Sequence, residues 1–219
     1  MDNPIKPTFK TEFIPLLIIL ITILASFYFH SHLPETVPSH WNIQGEVDGW
    51  SSRSFTVWFF PGLVIGMYLL FLILPYLDPK RKNYRKFTGA YHVFKSIIIV
   101  FVSLLYILTG LVGLGYDLPI DKITVAMMGL LFLVLGTYLP KIKTNWFMGI
   151  RTPWTLSSET VWQKTHQLGG RLFILEGALV IFLIFLLPQF LYGFFLVSIL
   201  AIVIWIFAYS YWLYRKINK

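Results

Sequence analysis

Six apolar runs, each long enough to cross a lipid bilayer, constrain this chain more than any other feature. They cover approximately residues 13–32, 55–77, 91–115, 123–141, 170–188 and 191–213. A helix rises 1.5 Å per residue, so a hydrocarbon core of about 30 Å takes about 20 apolar residues to span. Inside lipid every backbone N–H and C=O must bond within the protein, and helices of this length do so. The expected fold is therefore an all-α integral membrane protein, a bundle of six transmembrane helices. Only 13% of the residues are charged, where a soluble domain carries about 25%. No stretch between the runs is long enough for a separate soluble domain. Leu187-Pro188-Gln189-Phe190 parts the last two runs and predicts a tight helical hairpin there.

The first run follows Lys6 and Lys10, as a signal peptide would. Its apolar stretch is long, however, and Ala25-Ser26-Phe27 is a poor cleavage site, so it is expected to be a retained helix. Basic residues then set direction. Lys6, Lys10, Lys80, Arg81, Lys82, Arg85, Lys86, Lys95, Lys141, Lys143, Arg151, Lys164, Arg171, Arg215, Lys216 and Lys219 fall on one side of the alternating spans, leaving Arg53 and Lys122 on the other. Cytoplasmic loops carry the excess of Lys and Arg, so both termini are expected in the cytoplasm of a multi-pass cell-membrane protein. The formal net charge of +8 thus marks loops between spans rather than a basic face for nucleic acid, and no direct nucleic-acid binding is expected. The absence of cysteine excludes disulfides, thiolate metal sites and a Cys nucleophile.

Two connections are long and distinct in composition. The external one, 33–54, contains Pro34 and Pro38, which forbid a continuous helix. Gln44-Gly45 and Asp48-Gly49 are turn signals, which puts Val47 on a short arm between two turns. Pro38, His40, Trp41, Asn42, Gly45, Glu46, Asp48 and Gly49 are its candidate ligand-contacting residues. Two readings stay open: a structured lip that meets a ligand, or an interfacial loop held down by Trp41 and Trp50. A metal site among His30, His32, His40, Glu46 and Asp48 is not expected. His30 and His32, two apart on a helix, point to nearly opposite faces, and no zinc spacing is matched.

The second connection, 143–169, is expected to face the cytoplasm. Gly149 permits positive φ, and Pro153 holds Thr152 extended. Ser157 is a good N-cap with Glu159 in the first turn, so a juxtamembrane helix should begin near Ser158 and feed into the fifth span. On that helix Trp162, His166 and Gly169 or Gly170 share a face, and the glycine pair admits a neighbouring backbone. Arg151 could grip a carboxylate, a carbonyl or a lipid phosphate through its planar fork. A phospholipid anchor and a docking surface for a partner both remain open.

Glu176 is the one carboxylate inside an apolar run, and such a group is costly unless paired. Arg171, Lys95 and His92 are its candidate partners. Gly62/Gly66 and Thr109/Gly113 have the spacing of close helix packing. The chain lacks a G-x-S-x-G elbow, an H-E-x-x-H helix and paired intramembrane carboxylates, so neither an enzyme nor a cofactor is expected.

Gly149-Ile150-Arg151-Thr152-Pro153-Trp154-Thr155-Leu156, followed by Glu159 and Val161-Trp162, closely resembles the signature of the SdpI family. Val37-Pro38, His40-Trp41-Asn42, Gly45-Glu46 and Asp48-Gly49 look like the uncharacterised N-terminal domain that often precedes it. The resemblance implies an N-terminal two-helix region, 1–90, and a C-terminal four-helix SdpI-like region, 91–219. It also implies a Gram-positive membrane protein that protects against a secreted peptide toxin and holds an ArsR-type repressor at the membrane. On that view Asn145, Gly149, Arg151, Thr152, Pro153, Trp154, Thr155, Glu159, Trp162, His166, Gly169 and Arg171 form the partner-binding motif, and Glu176 and Lys95 the intramembrane charges. The alternative is a small transporter or lipid-handling protein working through Glu176.

Overall fold

Local caps set the starts of the helices at Phe9, Pro153 and Glu159, and the first and last of these starts lie outside the apolar runs. In the computed structural model, which describes residues 4–42, 44–186 and 191–217, the first helix α1 spans Phe9–His32. Thr8 caps it, accepting from Thr11 N while Thr11 Oγ1 accepts from Thr8 N at 2.9 Å. This reciprocal cap starts the helix four residues before the apolar run and draws Glu12 into its first turn. Glu176 is therefore not the only carboxylate within a spanning helix.

A two-stranded antiparallel hairpin follows, with β1 at Thr36–Trp41 and β2 at Val47–Ser52. The remaining helices are α2 (Arg53–Leu77), α3 (Thr88–Gly113), α4 (Ile120–Tyr138), α5 (Pro153–Ser157), α6 (Glu159–Leu186) and α7 (Leu191–Ile217). All but the five-residue α5 are long and apolar enough to cross a membrane, six among the described residues. The chain is an α-helical multi-pass membrane protein. Residues 187–190, where a tight hairpin was expected, lie outside the described residues. Lys95 belongs to α3 and not to the preceding loop, because α3 starts at Thr88.

The chain divides into two compact units. One comprises Pro7–Leu72 and Lys95–Met127, the other Met1–Lys6, Ile73–Phe94 and Met128–Lys219. In the first, Phe29 of α1, Leu33 at its C-cap, Val37 of β1, Val57 of α2 and Tyr106 of α3 form a buried cluster. The Tyr106 ring meets Phe29 edge-on at 5.5 Å and stacks on Phe60 at 5.3 Å. Gly110 and Gly113 make room for this: a Cβ at Gly110 would strike the Phe29 ring, and one at Gly113 would lie 2.7 Å from Leu33 and 2.9 Å from Val37. Gly62 and Gly66, by contrast, have nothing within 4 Å of a built Cβ, so their spacing serves no helix contact among the described residues.

The second unit is welded by glycine. Gly136 of α4 and Gly170 of α6 face each other's carbonyls, a Cβ on either lying 2.6–2.7 Å from the other's oxygen. Seven residues away in opposite directions, Gly129 and Gly177 repeat the contact at 3.0 and 2.5 Å. Two antiparallel helices thus approach backbone to backbone over two turns, as only residues without a Cβ allow. Helix α6 has 28 residues and so runs about 42 Å, longer than a hydrocarbon core. Its surplus is the N-terminal stretch carrying Trp162 and His166.

Candidate functional site

The motif of the second unit is built from the inside out. Asn145, fully buried, accepts from Phe147 N at 2.9 Å and Met148 N at 2.6 Å through Oδ1, and its Nδ2 donates to the carbonyls of Lys143 and Met148. This single side chain folds the turn that leads to Gly149. There φ is +102°, which L side chains rarely adopt, and a Cβ would collide with His166 Nε2 and lie 3.3 Å from the Trp162 ring. Both demands call for glycine.

Beneath Gly149 the Trp162 and His166 rings stack at 4.1 Å. Ile150 N–H donates to His166 Nε2 at 3.0 Å, and His166 Nδ1 lies 2.8 Å from the Trp162 carbonyl. A backbone N–H can only donate and a carbonyl only accept, so the ring is neutral with its proton on Nδ1. Trp162 Nε1 donates to the Ile142 carbonyl at 2.8 Å. Gly169, a turn further on, receives the Ile150 side chain, which a Cβ would meet at 2.5 Å. The expected shared face of Trp162, His166 and Gly169 exists, and it holds the motif loop down.

Beyond Gly149 the chain turns outward. Arg151 is exposed, and its Nη1 donates to the Trp146 carbonyl at 2.7 Å, so the planar fork grips a carbonyl of its own loop. Thr152 is extended (φ −105°, ψ 162°), as a residue before proline should be, and caps α5 in a reciprocal box with Thr155. Its Oγ also lies 3.0 Å from Ser210 Oγ of α7, while Thr155 Oγ1 donates to the Ile150 carbonyl. Trp154 packs its ring 4.9 Å from both Phe207 and Tyr211, fastening α5 to α7. The cap of α6 is Ser158, whose Oγ accepts from Val161 N at 3.4 Å, and not Ser157. Pro153 starts α5 early enough that Ser157 is still helical, donating to the Pro153 carbonyl, and the first extended residue is Ser158. Pro153, Glu159 and Arg171 are exposed.

Sequence reasoning missed the partner of this loop. Asp78, directly after α2, is 2% exposed and accepts from Lys80 N, from Tyr84 OH at 2.9 Å and from Trp146 N at 2.9 Å. Asn83 Nδ2 donates to the Thr144 carbonyl at 2.8 Å. Burial, and next the Asp78 carboxylate, push the Tyr84 hydroxyl far above its ordinary pKa, so it stays a donor. The signal lay in Asp78-Pro79, a lone carboxylate in a basic loop, whose charge-assisted bonds now tie 78–84 to 144–146.

In the first unit the external candidates form the hairpin. Asn42 Oδ1 accepts from Gln44 N at 2.9 Å and Glu46 N at 3.0 Å, its Nδ2 donates to Glu46 Oε2, and Gly45 has φ +81°. Asp48-Gly49 is no turn but part of β2. His40 pairs with Gly49 across an irregular register, where a Cβ on Gly49 would lie 2.8 Å from that of His40. His40 Nδ1 bonds Asp48 Oδ1 at 2.5 Å. Val37 anchors β1 in the buried cluster, Pro38 pairs with Trp50, and Trp41 with Val47. Trp50 itself is 61% exposed. No group of three His, Asp or Glu suited to a metal occurs among the described residues.

The intramembrane charges are partnered differently from expectation. Lys95, 1% exposed, donates to both oxygens of Glu12 at 2.6 Å, and Tyr68 OH of α2 donates to Glu12 Oε2 at 2.9 Å. Glu176 instead accepts from Ser198 Oγ of α7 at 2.6 Å. The sequence signal for Glu12 was the Thr8-x-x-Thr11 cap, which moves the helix start ahead of it.

Residues 17–65 match a domain of unknown function, DUF1648, and so contain most of α1, the hairpin and the start of α2. Residues 141–210 match the SdpI/YfhL protein family and contain the whole motif loop, α5, α6 and most of α7. Among curated proteins the chain is similar to "Immunity protein SdpI" of Bacillus subtilis (strain 168), with 25% identity over 209 residues, 95% of this chain and 98% of that protein. No solved structure matches. The buried Asn145–Gly169 scaffold that carries the Gly149–Leu156 motif thus lies in the segment that matches the SdpI/YfhL protein family, and in this chain that segment follows one that matches DUF1648.

Proposed function

We propose that this chain is a membrane immunity protein that protects its cell against a secreted peptide toxin, and that it also acts as a receptor holding a soluble ArsR-type repressor at the membrane. The observation that carries the first part is similarity along 95% of the chain to an immunity protein. In this reading both termini and the 143–169 loop face the cytoplasm, the hairpin faces outward, and 1–90 and 91–219 act as outer-sensing and inner-docking regions. The exposed His40, Glu46 and Asp48, braced by hydrogen bonds from Asn42 and within the hairpin, suit contact with a peptide arriving at the outer leaflet. Arg151, Pro153 and Glu159, exposed beside a largely buried scaffold, suit contact with a protein partner.

The test is protection. A sensitive host expressing the chain should survive challenge with the toxin at concentrations that kill the empty-vector host, and equal killing removes the immunity reading. Arg151→Ala should abolish recruitment of a tagged repressor while the protein still inserts. Trp154→Ala is the less clean variant, since that ring packs against α7. Unchanged recruitment in Arg151→Ala removes the inner site. Substrate flux in proteoliposomes, with immunity absent, would favour the transporter alternative.

A further inference from the structure

The two connections that Asp78 ties together carry a concentration of exposed positive charge. Lys82, Arg85 and Lys86 on one, and Lys141 and Lys143 on the other, are all exposed. The segments 78–87 and 139–158 contain one carboxylate, Asp78, and it is buried against backbone N–H groups and Tyr84. The cations are therefore brought together without a protein counter-charge on either segment. Asn83 to Thr144 and Asp78 to Trp146 fix the two strands of this surface to one another, so it is pre-formed.

Depth decides what such a surface meets. Asp78 is the first residue after α2, and Thr88, which starts α3, follows Lys86 by two positions. The bonds to Asp78 hold Trp146 at the same level, where the residue is 48% exposed. Headgroup layers add only about 5–8 Å beyond each side of the hydrocarbon, which is the reach of a Lys or Arg side chain. An exposed Trp beside cations at a helix end sits where lipid phosphates are most concentrated. The geometry points to a binding surface for anionic phospholipid headgroups, formed jointly by Lys82, Arg85, Lys86, Lys141 and Lys143. It does not use Arg151 and does not rest on the immunity reading.

The full-length protein in a zwitterionic detergent, titrated with phosphatidylglycerol or phosphatidylcholine and followed by native mass spectrometry, tests this directly. A basic residue near an anionic surface contributes roughly fivefold in affinity. The protein should therefore retain phosphatidylglycerol over phosphatidylcholine by an order of magnitude or more. Substituting all five cations with Gln should collapse that preference. Tryptophan-monitored melting checks that the variant is folded, and K141Q/K143Q, which should lower the preference at least fivefold, decides the matter if the five-fold variant is not. Equal retention of the two lipids, or a preference that survives in a folded variant, overturns the proposal. So does equal binding of inorganic phosphate, which would make the surface a free-anion site. Binding of poly-glutamate in the absence of any lipid preference would assign it to an acidic protein instead.

Discussion

Replacing Lys95 with Met should be among the most damaging single changes in this chain. Its ammonium reaches both Glu12 oxygens at 2.6 Å, with 1% and 9% of the two side chains exposed. Removing the cation leaves a carboxylate in a low-dielectric site, where the neutral hydroxyls of Tyr68 and Thr11 donate to it but supply no counter-charge. Breaking a buried pair from one side costs about 3–5 kcal/mol, because the remaining charge is neither hydrated nor compensated. In a bilayer the unfolded helices also find partners, which argues for the lower end, about 3 kcal/mol. Replacing both partners (Glu12→Gln with Lys95→Met) removes the stranded charge and keeps an acceptor for Tyr68. That pair should return to within about 1 kcal/mol of the parent. The assay is reversible unfolding in mixed micelles, followed by tryptophan fluorescence, for the parent, both single variants and the double. The expected signature is strong non-additivity, with the double variant more stable than Lys95→Met alone. Additive losses, or a single variant within about 1 kcal/mol of the parent, would refute the view that this pair is a desolvated ionic contact.

Three further outcomes follow from the geometry. Gly149→Ala should cost about 2–4 kcal/mol in the same unfolding assay, since it adds φ > 0 strain to a collision with His166, while Gly45→Ala, with Asp121 at 3.3 Å, should cost clearly less. His166→Leu should cost about 1–3 kcal/mol by stranding the Ile150 N–H, and hydrogen exchange at Ile150 should accelerate where exchange at Gly45 does not. Tyr84 has a raised pKa, so its stabilisation is complete below the ordinary tyrosine value near 10 and fades as pH rises above it, because unfolded Tyr84 ionises first. Melting temperatures from pH 8 to 11 should therefore fall more steeply for the parent than for Tyr84→Phe, and equal slopes would contradict this.

Six spans were legible because lipid imposes one requirement, about 20 apolar residues with internally bonded backbone, and apolar runs report it directly. What the runs do not report is where a helix starts once it leaves the hydrocarbon. Thr8 and Ser158 decide that for α1 and α6, and the first of these shifts changes the chemistry by bringing Glu12 opposite Lys95. The hairpin was half legible. Pro34 and Pro38 excluded helix, yet Asp48-Gly49 has the composition of a turn and sits in β2, because Gly49 is needed opposite His40. Glu176 was identified, but its partner Ser198 lies 22 residues away on α7, and no local pattern distinguishes that serine from a solvated one. Asp78 was lost for the same reason: its acceptor role is defined by Trp146, 68 positions along the chain.

Much of the segment that resembles the family signature is buried. Asn145, Thr152, Thr155, Trp162, His166 and Gly169 are buried, and their hydrogen bonds close on the loop itself, on α6 or on α7. Their residue types are dictated by satisfying backbone groups and by room for Gly149, so the signature encodes a loop shape before it encodes a ligand. Outside that scaffold the segment leaves Arg151, Pro153, Glu159 and Trp146 exposed. Two proteins sharing the signature can therefore share the shape and differ in partner, and the exposed row, rather than the motif as a whole, is where that difference would be written.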